Sequence, residues 1–304
     1  MRRYVLIAVL ALLAGRAFSQ SGVKEITDEN WAKLQAYEDT LQWLGDSTVQ
    51  AVDWDTREEA CVVLVKMLVK ALKVENSFYY PFDSLNTVSI VNAPDNTFRL
   101  ITWQLTMKDR TYRYYGTMQM NKPQLDMNPM IDMSLFIGNP QDTVLSANSW
   151  YGCIYYKIVK QKYRKDTYYL LFGWDGNDPF SNKKLVDVLS FDQFGKPVFG
   201  RPMFYFYEDP KPKTRIVIEY KEDASPVMNW DPDMKMIIIS YLQPENPLSE
   251  GIFMTYIPDG TYIGFYRKRD KWLYKDKIFT RSLPVAPDNT PKRDGEDPNI
   301  YKPN

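Results

Sequence analysis

The chain has 304 residues, 38 basic and 38 acidic side chains, and no histidine. The missing imidazole excludes Ser-His-Asp and Cys-His catalysis, histidine-ligated zinc and imidazole acid–base chemistry, and two distant cysteines exclude a cysteine-rich zinc site. The balanced charge offers no basic stripe for nucleic acid, while 44% hydrophobic and 15% aromatic residues suffice for a substantial core.

In chain order, Arg2 and Arg3 precede an apolar run from Val5 to Ala14, followed by Gly15-Arg-Ala-Phe-Ser-Gln20. A basic start, a short apolar stretch and small residues at Ala17 and Ser19 predict a secretory signal peptide over 1–19, cleaved after Ser19. The run is too short for a membrane anchor, which needs ~20 residues. Removing its three arginines leaves a slight acidic excess, and no stable transmembrane anchor is expected after cleavage. The protein is therefore expected to be exported, periplasmic or secreted.

Residues 20–76 read as a lead-in and a helical hairpin. Asp28 is the expected N-cap of a helix to about Val49, with Trp31, Leu34, Tyr37, Leu41 and Leu44 on one stripe. Thr56 and Glu59 have capping-box spacing. Cys61, Leu64, Val65, Leu68 and Leu72 then form one apolar face. Such a pair needs a surface to cover, and the expectation is that it lies on a sheet.

From Phe78 the apolar period becomes two, and 77–283 reads as one antiparallel β-domain. Phe98–Met107 and Thr111–Met120 flank a short loop, Lys108-Asp-Arg110. The stretch 121–149 is less regular. Its methionines Met127, Met130 and Met133 raise copper(I) ligation, but gap-filling in a core is the favoured reading. Tyr151–Gln161, Thr167–Trp174 and Leu185–Phe191 are predicted strands, with Asp175 to Asn182 as a turn-rich loop between the last two. Pro197–Phe199 reads as a short edge strand. Met203–Tyr207, Thr214–Tyr220 and Met234–Leu242 read as further strands. Ile252–Ile257 and Thr261–Arg267 enclose Pro258-Asp-Gly260, a hairpin signal. Trp272 and Tyr274 start a last strand, and 284–304 is a proline-rich segment expected to be extended or disordered.

The fold class is thus α+β, a helical hairpin packed on a large antiparallel β-domain, as a sandwich or partly open barrel. No run between strands is long enough for the crossover helix of a parallel unit. Cys61 and Cys153 either bridge, pinning the helices to the β-region, or stay as buried free thiols.

Several blocks carry a family likeness: Tyr80-Pro-Phe-Asp-Ser-Leu85, Trp150-Tyr-Gly152, Leu171-Phe-Gly-Trp-Asp-Gly176, Gly195 to Gly200, and Arg215 with Glu219-Tyr220. Over about residues 55–275 the chain resembles an uncharacterised family of secreted or envelope proteins from Bacteroidota, most specifically in the Gly-Trp-Asp-Gly block. The resemblance implies an exported location and no activity. Relatives tend to carry an Asp-His pair where this chain has Ser240-Tyr241.

Among polar clusters, Asp175, Asn177 and Asp178 could offer alternate oxygens to calcium, but Pro179 and the lack of a closing Glu spoil the EF-hand pattern. Capping of their own turn is the favoured reading, and Asp231 with Asp233 reads the same way. A glycan hydrolase needs two carboxylates and no histidine, at ~5 Å or ~6.5–9.5 Å separation. Asp175 and Asp178, with Asp187 and Glu219, are the candidates, and Trp150 and Trp174 the stacking platforms. The favoured reading is non-catalytic: an envelope protein that binds a protein or glycan through Trp150, Trp174, Asp175 and Asn177, with no cofactor. N-terminal sequencing of the exported product should begin at Gln20; a membrane-extracted product retaining residues 1–19 would remove the premise of export.

Overall fold

The computed structural model describes residues 26–279 apart from 208. The leader 1–19 and the proline-rich segment 284–304 lie outside the described residues. Among the described residues, helices α1 (Asp28–Gln50) and α2 (Trp54–Leu72) are followed by fifteen strands in three sheets. The first sheet runs β1 (Val88–Asn92), β2 (Phe98–Thr106), β3 (Tyr112–Met120) and β4 (Met127–Ile131) in that order. Next in the chain come β5 (Leu145–Ser146), β6 (Ile154–Tyr163), β7 (Asp166–Asp175), β8 (Ser181–Phe191) and β9 (Pro197–Phe199). They form the central sheet in the order β5-β9-β8-β7-β6. After β10 (Phe204–Tyr205), strand β11 (Ile216–Lys221) returns to pair with β8. Strands β12 (Met228–Asp231), β13 (Met236–Pro244), β14 (Tyr256–Lys268) and β15 (Lys271–Lys275) complete the chain. With β10 they make the third sheet, β10-β15-β14-β13-β12.

The layers stack as helices, first sheet, central sheet and third sheet, with a core in each gap. Leu34, Leu41, Leu64 and Leu68 of the helices meet Val88, Ile101 and Trp103 on one face of the first sheet. Its other face gives Phe98, Leu100, Tyr114 and Met118 to a core shared with Tyr169, Leu171, Leu185 and Leu189. The opposite face of the central sheet sends Tyr168, Leu170, Phe172, Val186 and Val188 against Ile237, Ile239, Phe265 and Trp272. This is an α+β sandwich with no closed barrel among the described residues, the helices lying on the sheet as expected. Because β7 is covered on both faces, its apolar run is continuous rather than alternating. No helix among the described residues is long and apolar enough to cross a membrane.

Several local expectations change. Thr27, not Asp28, caps α1, its hydroxyl accepting from Asn30 N at 3.2 Å. Asp53 caps α2 by accepting from Thr56 N at 2.8 Å, so the helix begins before the expected Thr56–Glu59 box. The carboxylate lies one turn earlier and is the stronger acceptor for free N–H groups. Pro258-Asp-Gly260 does not turn the chain: β14 runs through it. Ser240 faces Tyr262 and Leu242 faces Pro258, so Asp259, Gly260 and Thr261 bulge opposite Tyr241. Asp259 accepts from Thr261 N at 2.8 Å, satisfying the bulge locally. The short strand at Pro197–Phe199 is not an edge, since β5 pairs beyond it. One pair, β10 with β15, is parallel.

Cys61 and Cys153 are free and buried. Cys61 is held near Trp103 and Tyr115 on the helix face of the first sheet, whereas Cys153 lies against Gly173 in the core behind it. A sheet separates them, so the bridge considered above is not made. Met130 is buried in that same inner core, as gap-filling predicts.

Two guanidinium groups are fully enclosed. Arg99 has no carboxylate; it donates to Gln119 Oε1 (2.8 Å), Tyr80 O (2.8 Å) and Ser77 O (2.9 Å), between the rings of Phe78 and Phe82. Burial lowers its pKa to about 9. Arg215 faces Asp187 with Nε to Oδ2 at 3.2 Å, both side chains wholly buried. The two atoms are misaligned for a hydrogen bond, so the contact is ionic, while Arg215 Nη1 donates to the carbonyls of Pro140 and Thr143. Removing one member of a buried pair strands the other charge. Arg215→Met should therefore lower the unfolding free energy by about 3–5 kcal/mol in urea titration, and Asp187→Leu added to it should recover most of that loss.

Candidate functional site

The loop after β7 is built around a buried carboxylate. Asp175, 5% exposed, ends the strand on the face turned to the first sheet. Tyr114 OH donates to its Oδ1 at 2.9 Å, Tyr151 OH to its Oδ2 at 2.9 Å, and Asn177 N to Oδ1 at 2.8 Å. Gly176 N donates to Tyr114 OH at 2.6 Å. A Cβ at Gly176 would meet the Tyr112 ring at 2.4 Å, which explains glycine there. Asn177 adopts φ 45°, a left-handed conformation that asparagine tolerates better than most residues. Burial pushes the Asp175 pKa up, opposed by the Asn177 amide, the tyrosine hydroxyls and Lys183. Burial beside this carboxylate also raises both tyrosine pKa values.

Asp178 is likewise engaged: its Oδ1 accepts from Phe180 N (2.8 Å) and Ser181 N (3.0 Å), and its Oδ2 from Asn177 Nδ2 (3.0 Å). Asn177 Oδ1 accepts from Lys183 Nζ at 2.7 Å. The loop oxygens thus converge on protein donors, the turn-capping arrangement favoured from sequence. Trp150 is entirely buried and donates to Tyr155 OH at 2.9 Å. It is core, not a stacking platform: the Tyr151–Cys153–Tyr155 run beside it fills the inner gap. Trp174 is half-buried and tilted against Tyr112. Asp187 belongs to the pair with Arg215. Of the proposed binding residues, the structure brings Asp175 and Asn177 together and leaves Trp150 beneath the surface.

An open cleft of about 450 Å³ lies beside this loop, where the β11 edge of the central sheet meets the third sheet. Lys183 and Glu219, directly opposite each other on β8 and β11, line it at 3.5 Å separation. Ser181 Oγ donates to Glu219 Oε1 at 2.7 Å. Tyr151, which holds Asp175, also reaches the cleft. The far wall is Tyr241, Leu242, Phe253, Tyr256 and Ile263. Tyr241 and Phe253 remain 43% and 52% exposed, and Phe253 packs on Tyr256 at 5.3 Å. The bulge at Asp259–Thr261 lies directly opposite Tyr241 in the strand pairing.

The chain matches no protein-family model and no curated protein. The geometry therefore carries the functional argument. Two other hollows, near Arg99 and near Lys184, are of similar size. Their cations are already engaged, Arg99 as above, Lys184 Nζ with Pro226 O (2.6 Å) and Lys157 Nζ with Asn229 Oδ1 (2.7 Å). The cleft beside Glu219 combines aromatic walls with few polar groups, the usual make-up of a binding site. The sequence alone marks Glu219 as a candidate, whereas Lys183, Tyr241, Phe253 and Tyr256 join the site only through the fold.

The buried Asp175 gives a pH test. Its folded pKa is raised, so the folded state binds the proton more tightly, and the stability tied to protonation is lost as pH rises from the ordinary aspartate value through the raised one. Asp175→Asn removes that loss. Urea unfolding from about pH 4 to about pH 7 should show the variant's stability, relative to the parent chain, rising with pH. A difference that falls with pH would contradict the sign.

Proposed function

We propose that this is an exported envelope protein that binds another envelope component, a protein or a glycan, without catalysing its conversion. One observation carries this: the cleft where the β11 edge meets the third sheet keeps Tyr241 and Phe253 exposed around a mutually paired Lys183 and Glu219. Exposed aromatic side chains bring large apolar area at low conformational cost, which suits recognition. The leader pattern and the resemblance to secreted Bacteroidota proteins support the exported location.

The hydrolase reading needs two free carboxylates facing one cleft. Of the four acids considered, Glu219 alone lines this cleft, while Asp175, Asp178 and Asp187 hold tyrosines, a turn and Arg215. That distribution favours binding.

Photo-crosslinking in the native envelope tests the proposal. A photoreactive phenylalanine analogue at Tyr241 or Phe253 should capture a discrete partner, whereas the same analogue at the exposed Lys66 of α2 should not. Equal capture from Lys66, or none from the cleft, would overturn the assignment.

A further inference from the structure

The cleft has a floor whose hydrogen-bonding groups can be assigned from the strand register. β11 pairs with β8 such that Ile216 faces Val186, Ile218 faces Lys184 and Tyr220 faces Asn182. Glu222 N donates to Phe180 O at 3.0 Å, continuing the same register. In an antiparallel ladder, residues alternate between bonding the partner strand and pointing away from it. The even-numbered residues of β11 therefore bond β8, and Val217, Glu219 and Lys221 direct their N–H and C=O groups outward. The orientation is independently marked by Val217 N, which donates to the side-chain Oε1 of Gln141 at 3.3 Å.

No other described strand pairs along this outward edge. Gln141 covers its start, and Ala224 N closes its end by donating to Lys221 O at 3.0 Å. Between them the Val217 carbonyl, the Glu219 amide and carbonyl, and the Lys221 amide have no hydrogen-bond partner among the described residues. Val217, Ile218 and Glu219 line the cleft itself. Its two charged groups, Lys183 and Glu219, neutralise each other, so it makes no demand for an ionic ligand. What it leaves unmatched is main chain, and the complement of a main-chain edge is another main chain.

We propose that the cleft takes an extended polypeptide segment, which adds to the open edge of β11. The inference rests on the binding reading above and specifies its partner as peptide. The edge from Val217 to Lys221 is long enough to pair with about five residues at ~3.4 Å each, in a groove bounded by the Phe253–Thr255 turn and the start of β14, which pack close to β11. The incoming strand would bond Glu219 on both its amide and carbonyl, and alternate side chains would meet Tyr241, Phe253 and Tyr256. The Gln141 carboxamide occupies the position of a peptide carbonyl at Val217 N and yields to the guest strand.

The test selects random peptides displayed on phage against the full chain and maps the selected peptide by amide hydrogen exchange. Protection should appear at Glu219 and Lys221, which carry no protecting bond beforehand. Glu219→Pro removes an outward donor while leaving the β8 ladder intact; measured against Glu219→Ala, which loses the same carboxylate but keeps the amide, it should weaken the peptide about tenfold or more. Gln141→Ala should tighten it by a few-fold. Should Glu219→Pro fail to fold, methylating alternate peptide nitrogens gives the same answer on the unaltered protein: one parity abolishes binding and the other does not. Selection of no peptide, protection elsewhere, or indifference to both proline and methylation would overturn strand addition. A non-peptide ligand lost in Phe253→Ala but unchanged in Glu219→Pro would overturn it while leaving the binding cleft standing.

Discussion

The central sheet is buried on both faces, and most of the molecule follows from that. Along β7, Tyr169 and Leu171 point into one core while Tyr168, Leu170 and Phe172 point into the other. A strand in this position cannot carry a polar face, and every group that ends up inside must find a partner within the protein. Gly173 shows how tight the packing is: a Cβ there would meet Cys153 Sγ at 2.8 Å and Leu185 at 3.2 Å. Among the described residues, fully buried charge enters this layer at Asp175, which three donors surround, and at the Asp187–Arg215 pair, which is held by ionic contact, the Val188 amide and the carbonyls of Pro140 and Thr143.

The same burial explains why the most acidic-looking loop is not the cleft's working surface. A carboxylate taken out of water is costly unless donors surround it. Asp175 meets that condition with two hydroxyls and a main-chain amide. In doing so it ties the end of β7 to β3 through Tyr114 and to the segment preceding β6 through Tyr151. Tyr151 then spans from this inner seal to the cleft, so the rigid part of the sheet and the exposed aromatic wall share a side chain.

Much of the architecture was legible because periodicity reports burial. The two helices, the Phe98–Met120 hairpin and the three long central strands all follow from spacing of apolar residues. The misreading at Pro258-Asp-Gly260 has a physical cause: Asp-Gly favours a turn locally, but Ile257 and Pro258 gain cross-strand partners in Gln243 and Leu242 if the strand continues. Tertiary pairing outweighed the local preference. Strands β1, β5 and β12 are short and mixed in polarity, leaving little periodic signal. The cleft was hidden for another reason. Gln141, Lys183, Glu219, Tyr241 and Phe253 are scattered along the chain, and only the layer stacking brings them together. Glu219, weighed as a carboxylate for hydrolysis, is the one cleft residue that the sequence marks as a candidate. Tryptophan was a poor guide, since Trp150 lies in a run of tyrosines and cysteine that reads as core.

The order of layers also follows the order of synthesis. Helices and first sheet come from the N-terminal part of the chain and can close their own core, with Arg99 fastening the Ser77–Tyr80 segment across it. The back of that first sheet nevertheless stays bare until residues beyond Trp150 arrive, and the central sheet in turn waits for the last strands. Each newly made layer thus presents a sticky apolar face to be covered by the next. A chain stalled or truncated before the third sheet is complete would leave Leu170, Phe172 and Val188 uncovered, so such partial products are expected to be poorly soluble.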